Sequence, residues 1–267
     1  MRWRTGFMFG LILVSRWTLL GQEEKSSPPK RDQQSVGILT RVLQNSGGSQ
    51  ALAAVHDITE SGEITFYSGK GIKGPVKIQM LDGKHLRLEA ALPGGKSVWV
   101  IREGVGSQIQ GDTIEPISRQ RAIALANFTF PVRHVIAALA DGRTEISFVQ
   151  IEKRHNRSLY RLRVKGQLSL LSEINSALLP LTKDLLIDAL TFDIVSVEDF
   201  PLPLSKRYNR NPFVPAPHKI DFEDFRVING VRVPFLIVNR TFGQVTLSLR
   251  LTDVTLNNNL GDRDFEW

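Results

Sequence analysis

Asp221, Glu223 and Asp224 form an acidic cluster inside Ile220–Asn239 (IDFEDFRVINGVRVPFLIVN). General acid–base chemistry needs two carboxylates that converge on one substrate atom. On a strand, Asp221 and Glu223 share a face and Asp224 takes the other, so the trio reads as a solvated or edge strand. Glu198 and Asp199 are chain neighbours and fall on opposite faces if extended. The five histidines, His56, His85, His134, His155 and His218, are scattered, with no HExxH, HxH or carboxylate at ligand spacing, so no metal site is predicted. Nucleophile elbows, dinucleotide fingerprints and phosphate loops are missing; SGKGIKG (Ser68–Gly74) and REGVGSQ (Arg102–Gln108) read as hairpin loops. Cysteine is absent, which removes disulfides, thiolate metal sites, a cysteine nucleophile and a lipidated cysteine. No catalytic residue and no cofactor are assigned, and the chain is read as not an enzyme.

Cations interleave with aromatics at Lys206, Arg207, Tyr208 and Arg210 and along Tyr160–Lys165, a pattern that suits polyanion contact by charge and stacking. The bulk charge does not press that reading. Of the net +7, three charges are Arg2, Arg4 and Arg16, all within the first 21 residues, which hold no acid. A mild excess remains, so nucleic acid is not expected as a partner.

Those first 21 residues read as an export signal: basic Met1–Arg4, then the apolar run Phe7–Val14, too short to span a bilayer. Residues 22–34 are polar, carry Pro28 and Pro29 and lack apolar period, so they are expected to be a flexible linker. Residues 35–267 are then one domain, periplasmic or secreted, with no transmembrane segment in the mature chain.

Within that domain, Val36, Leu39, Val42 and Leu43 recur at helical spacing, Asn45–Gly48 breaks the pattern, and Gln50–Val55 resumes it. After Asp57 the period becomes two. Val76, Ile78 and Met80 line one strand face; Asp82-Gly83 turns the chain; Leu86, Leu88 and Ala90 line the next. Ala122–Ala140 is predicted helical on both sides of Pro131, and a short helix is placed near 168–178. Hairpins follow around His155-Asn156, Asp188–Thr191 and Asn229-Gly230, the last an expected type I′ turn. Val245, Leu247, Leu249 and Leu251 alternate with Thr246, Ser248, Arg250 and Thr252, a strand wet on one side. Pro201, Pro203, Pro212, Pro215 and Pro217 make 201–217 a long basic loop, since proline cannot donate to a ladder. The result is an α+β fold of roughly ten to twelve antiparallel strands with helices at the start and middle.

Few helices for so wide a sheet leaves two outcomes. The sheet curls on itself and packs dry, or it encloses an apolar cavity lined by Phe66, Leu88, Trp99, Phe148, Leu162, Phe235 and Leu249. A cavity of that kind needs no polar motif to hold an acyl chain, because each buried methylene contributes ~0.8 kcal/mol.

Several stretches taken together, SGGSQALAAVHDI, GPVKIQMLDGKHLRLEA, LLIDALTFDIVSVED, FEDFRVINGVRVPF and the closing TLSLRLTDVTLN, resemble the LolA-like family of lipoprotein carriers and outer-membrane lipoprotein-sorting proteins over residues 36 to 265. The resemblance implies a curved antiparallel sheet, an incomplete barrel whose concave face is covered by helices around an apolar cavity. By extension it implies a lipid or the acyl chains of a lipoprotein as partner. It carries over no functional residue, because the matching parts are turns and alternation. The alternative is an envelope protein-interaction module with a densely packed sheet that recognises a protein partner through surface loops.

Overall fold

The structure is a computed structural model that describes residues 30–67, 71–117, 122, 125, 128–154, 156–168, 179–200 and 218–266. The expected export signal, the linker up to residue 29, the candidate helix across 169–178 and the loop 201–217 lie outside the described residues.

One 13-stranded sheet organises the chain, in the order β6-β5-β4-β3-β2-β1-β13-β12-β11-β10-β9-β8-β7. The strands are β1 (Asp57–Phe66), β2 (Ile72–Leu81), β3 (His85–Leu92), β4 (Gly95–Arg102), β5 (Val105–Gln110), β6 (Thr113–Ile117), β7 (Glu145–Arg154), β8 (Arg157–Leu168), β9 (Leu179–Asp188), β10 (Ile194–Phe200), β11 (His218–Ile228), β12 (Val231–Thr241) and β13 (Gln244–Leu256). Every pairing is antiparallel, and the sheet curves without closing. One strand more is present than the sequence predicts. The additional one, β6, has no buried residue and carries Pro116, so it lacks the alternation by which the other strands are read; both are features of an edge strand.

Among the described residues, helices α1 (Gln33–Asn45), α2 (Gly48–Ala53) and α3 (Val132–Ala140) bury apolar stripes against the concave face. Asp32 caps α1 by accepting from the backbone N–H groups of Gln34 and Ser35, and Ile38, Leu39 and Val42 fall on the buried side at helical spacing. Pro131 precedes α3, whose buried residues are Val132, Val135 and Ala138; Ala122 and Leu125 are helical as well. These side chains share one core with the inward rows Val76, Ile78, Met80 and Leu86, Leu88, Ala90.

The break between α1 and α2 is shaped by the hairpin it meets. Gly47 has φ 124°, and a Cβ there would sit 2.5 Å from the Gly230 carbonyl oxygen. Asn229 and Gly230 have φ 48° and 81°, as a type I′ turn requires. Arg232 N–H donates to Ser46 O at 3.1 Å, and Asn45 and Arg232 both bond Asp193. Two sequence signals far apart in the chain, at Gly47 and Gly230, are therefore one tertiary contact: helix break and hairpin tip pack backbone to backbone.

Bulges modify the expected alternation of β13. Asn239 pairs Leu247 and Arg240 pairs Val245, so Thr246 is extra and Val245 does not continue the inward row. A second bulge, where Ser61 pairs Asp253 and Gly62 pairs Leu251, shifts the row again, and Val254 and Leu256 become the buried residues. On the outer face, the 3-10 helix Asp262–Phe265 sets Phe265, fully buried, against Val98 and Val100.

Candidate functional site

At one end of the concave face the side chains do not meet. A cavity of about 310 Å³ lies over β1, β3, β4, β11, β12 and β13, beneath Leu125 and Phe128. That volume is at the lower end of small-ligand sites. Its floor is apolar: Ile64, Phe66, Leu88, Trp99 and Leu247, with the Phe66 and Trp99 rings 6.2 Å apart between centroids. β2 lies between β1 and β3 but places only Gly74 opposite Ile64, and a Cβ at Gly74 would come 1.9 Å from the Ala91 carbonyl oxygen.

Of the seven residues predicted to line a cavity, the structure brings Phe66, Leu88 and Trp99 together around it. Leu162 and Leu249 are fully buried in the packed core, and Phe235 is buried in the same core. Phe148 sits on β7 at the far edge of the sheet, pairing with Leu162 and lying 6.5 Å from the Tyr160 ring. Period two identifies the inward face of a strand; it does not say at which height that face is filled.

The other lining residues are polar: His218, Asn239, Thr241 and Thr246. They continue inward rows that begin apolar. Ile220 and Phe222 precede His218 in space along β11, as Ile237 precedes Asn239 and Thr241 along β12. The same change occurs on the neighbouring strands, from Leu185 to Lys183 on β9 and from Val197 to Asp199 on β10. Register aligns the polar ends: Lys183 pairs Asp199, Asp199 pairs His218, and His218 pairs Thr241. A row of alternating residues that turns polar at the same end of four adjacent strands was a signal available in the sequence.

Asp199 is the centre of this row. Lys183 Nζ is 3.2 Å from its Oδ1 and His218 Nδ1 is 3.3 Å from its Oδ2. Burial alone would raise the Asp199 carboxyl, but the His218 hydrogen bond and the Lys183 charge outweigh it and bring it to about 2. His134, from α3, faces the same group; burial and the Lys183 charge push it down to about 3 against the pull of Asp199.

A second buried group lies further along β1. Glu60 is fully buried, and neither carboxylate oxygen has a hydrogen-bond partner among the described residues. Burial raises it to about 8; the nearby Thr129 hydroxyl and the Arg133 charge, which favour the anion, do not offset that cost.

Of the remaining candidates for chemistry, Asp221, Asp224 and Glu198 are engaged in ion pairs. Asp221 is 2.7 Å from Lys219 and 2.9 Å from Arg240, and Asp224 is 2.7 Å from Arg226. Glu198 is 2.8 Å from Arg161, which also binds Asp184 at 2.8 Å and contacts Glu152; Arg163 is 2.7 Å from Asp184. The cationic face of β8 is thereby charge-balanced. Among the described residues no group of three or more His, Asp or Glu is placed to hold a metal, and no helix is long and apolar enough to cross a membrane.

No family model matches the sequence, and no curated protein does. Solved structures do match. The chain is similar to an outer membrane lipoprotein-sorting protein domain from Vibrio parahaemolyticus, at 10% identity and TM-score 0.53, over 87% of this chain and 96% of that one. It is similar to a LolA superfamily protein from Nitrosomonas europaea at 12% identity and TM-score 0.53, over 87% and 98%. A DUF1329 family protein from Desulfovibrio piger also matches, at 12% identity and TM-score 0.53, over 89% and 98%. At these identities the likeness is one of fold: the protein has the LolA-like architecture, a curved antiparallel sheet carrying helices on its hollow side.

Proposed function

We propose that this protein is a non-catalytic carrier of the bacterial envelope that holds an acyl chain of a lipid or lipoprotein in the cavity over Phe66, Leu88 and Trp99. The observation that carries the reading is the cavity of about 310 Å³ with an apolar floor in an otherwise closely packed concave face. Enclosing ten methylenes would contribute roughly 8 kcal/mol before ordering costs. Sharing the LolA-like fold with a lipoprotein-sorting domain supports the same reading. Of the acidic cluster Asp221, Glu223 and Asp224, Asp221 is paired with Lys219 and Arg240 and Asp224 with Arg226, and none of the three lines the cavity.

Native purification followed by organic extraction and mass spectrometry tests it. The expected result is a co-purifying acyl lipid at a stoichiometric fraction of the protein, lost in Leu88→Trp, which fills the floor. Protein that extracts clean and fails to bind a fluorescent fatty-acid probe would overturn it.

A further inference from the structure

The polar wall of the cavity has a chemistry of its own. Ionised Asp199 only accepts hydrogen bonds, so at 3.3 Å it is His218 Nδ1 that carries the proton between them. Nε2, the ring's remaining polar atom, accepts in the neutral ring and donates only in the imidazolium, so an entering anion is met by the doubly protonated ring, Nδ1–H on Asp199 and Nε2–H on the head. Asp199 Oδ2 is hydrogen-bonded to His218, and Oδ1, which has no hydrogen bond among the described residues, is compensated by the Lys183 ammonium 3.2 Å away. Among the described residues the lining contains no carboxylate, so a cationic group would find no free counter-charge from them. Donors are more plentiful. Asn239 Oδ1 is used by Thr246 Oγ1 at 3.3 Å, whereas the Asn239 amide NH2 and the Thr241 hydroxyl have no partner among the described residues. The row Lys183, Asp199, His218 carries no net negative charge, and protonating His218 makes it positive.

Resting on the carrier reading, we infer that His218, Asn239 and Thr241 form a head-group site for an anionic, acceptor-rich head, a carboxylate or a phosphate monoester, on a single acyl chain that lies along Phe66 and Trp99. Asp199 and Lys183 do not touch the head. They are positioning residues: Asp199 fixes the ring through Nδ1–H and supports the imidazolium whose Nε2–H meets the head, and Lys183 compensates the Asp199 charge. The floor sets the hydrophobic part of the affinity, and the wall selects among chains of equal length.

Purified full-length protein is titrated with laurate, dodecyl phosphate and dodecanol, three ligands with the same chain. The wild type is expected to bind at least one acid on the order of tenfold more tightly than dodecanol. Which acid is preferred tells a carboxylate head from a phosphate one. In His218→Gln and Lys183→Met the preference falls toward unity, and far-UV circular dichroism matching the wild type shows that both variants fold. Equal binding of all three ligands by the wild type, or a preference that survives both substitutions, overturns the head-group site and leaves the carrier standing. Binding of none of the three defeats the carrier reading, and this inference with it.

Discussion

Asp199 Oδ2 stands 3.3 Å from His218 Nδ1 across one rung of the β10–β11 ladder, while its chain neighbour Glu198 faces the opposite side of the sheet to meet Arg161 at 2.8 Å. Two adjacent acids thus serve two unrelated networks. One closes the outer face with a charge-balanced cluster, and the other organises the polar end of the cavity.

Acid should weaken the fold in two steps. His134 is held neutral down to about 3, well below its ordinary value of 6.5, so the unfolded chain binds the extra proton and stability declines as pH falls between those values. Asp199 is depressed from 3.8 to about 2, so its contribution is present above the unfolded value and lost as pH falls through the folded one. Urea titrations across pH 7 to 2 are expected to show both slopes. His134→Gln removes the first, and Asp199→Asn the second.

Glu60 has the opposite sign. Its folded value of about 8 exceeds its ordinary 4.5, so the folded chain holds the proton and stability is greatest below 4.5, then is lost as pH rises toward 8. The slope is at most about 1.4 kcal/mol per pH unit. Glu60→Gln, which keeps the neutral shape, is expected to flatten it, with variant and wild type converging near pH 4. Parallel curves for the two proteins would contradict the assignment.

Trp99 lines the floor of the cavity, next to Phe66. Laurate binding is expected to shift tryptophan emission to the blue in the wild type. In Trp99→Phe the shift disappears although binding, read by calorimetry, persists. Emission that changes equally in both proteins would place the ligand elsewhere.

Gly47→Ala should cost roughly 1–3 kcal/mol, because φ 124° disfavours any side chain and the added Cβ meets the Gly230 carbonyl at 2.5 Å. Chemical denaturation measures it. Gly48→Ala, which has open space around it but φ 78°, separates the backbone part of the cost from the clash. A Gly47 variant no less stable than the Gly48 variant would show that the hairpin tip is not in tight contact.

Phe265→Ala, on the outer face, is expected to destabilise by ~3–5 kcal/mol through the space left against Val98 and Val100. Ligand affinity at temperatures well below the melt should not change, since the sheet separates this cluster from the cavity. A matched loss of affinity would mean that the C-terminal segment braces the floor.

Local regularities determined most of the architecture in advance. Period-two rows such as Val76, Ile78, Met80 and the turn residues Asp82-Gly83 and Asn229-Gly230 state which residues are strand, which face is inward and where the chain reverses, because pleat and turn sterics act over two to four residues. The same locality is why Phe66, Leu88 and Trp99 could be placed inward but not separated from Phe148, Leu162, Phe235 and Leu249. Whether an inward side chain meets a neighbour or a void depends on helices and strands distant in sequence. Register decided the rest: pairing of β9, β10 and β11 sets Lys183, Asp199 and His218 in line, and the bulge at Thr246 takes Val245 out of the inward row and brings Thr246 to the cavity. Such alignments arise from the packing of a whole 13-stranded sheet, so no single strand records them.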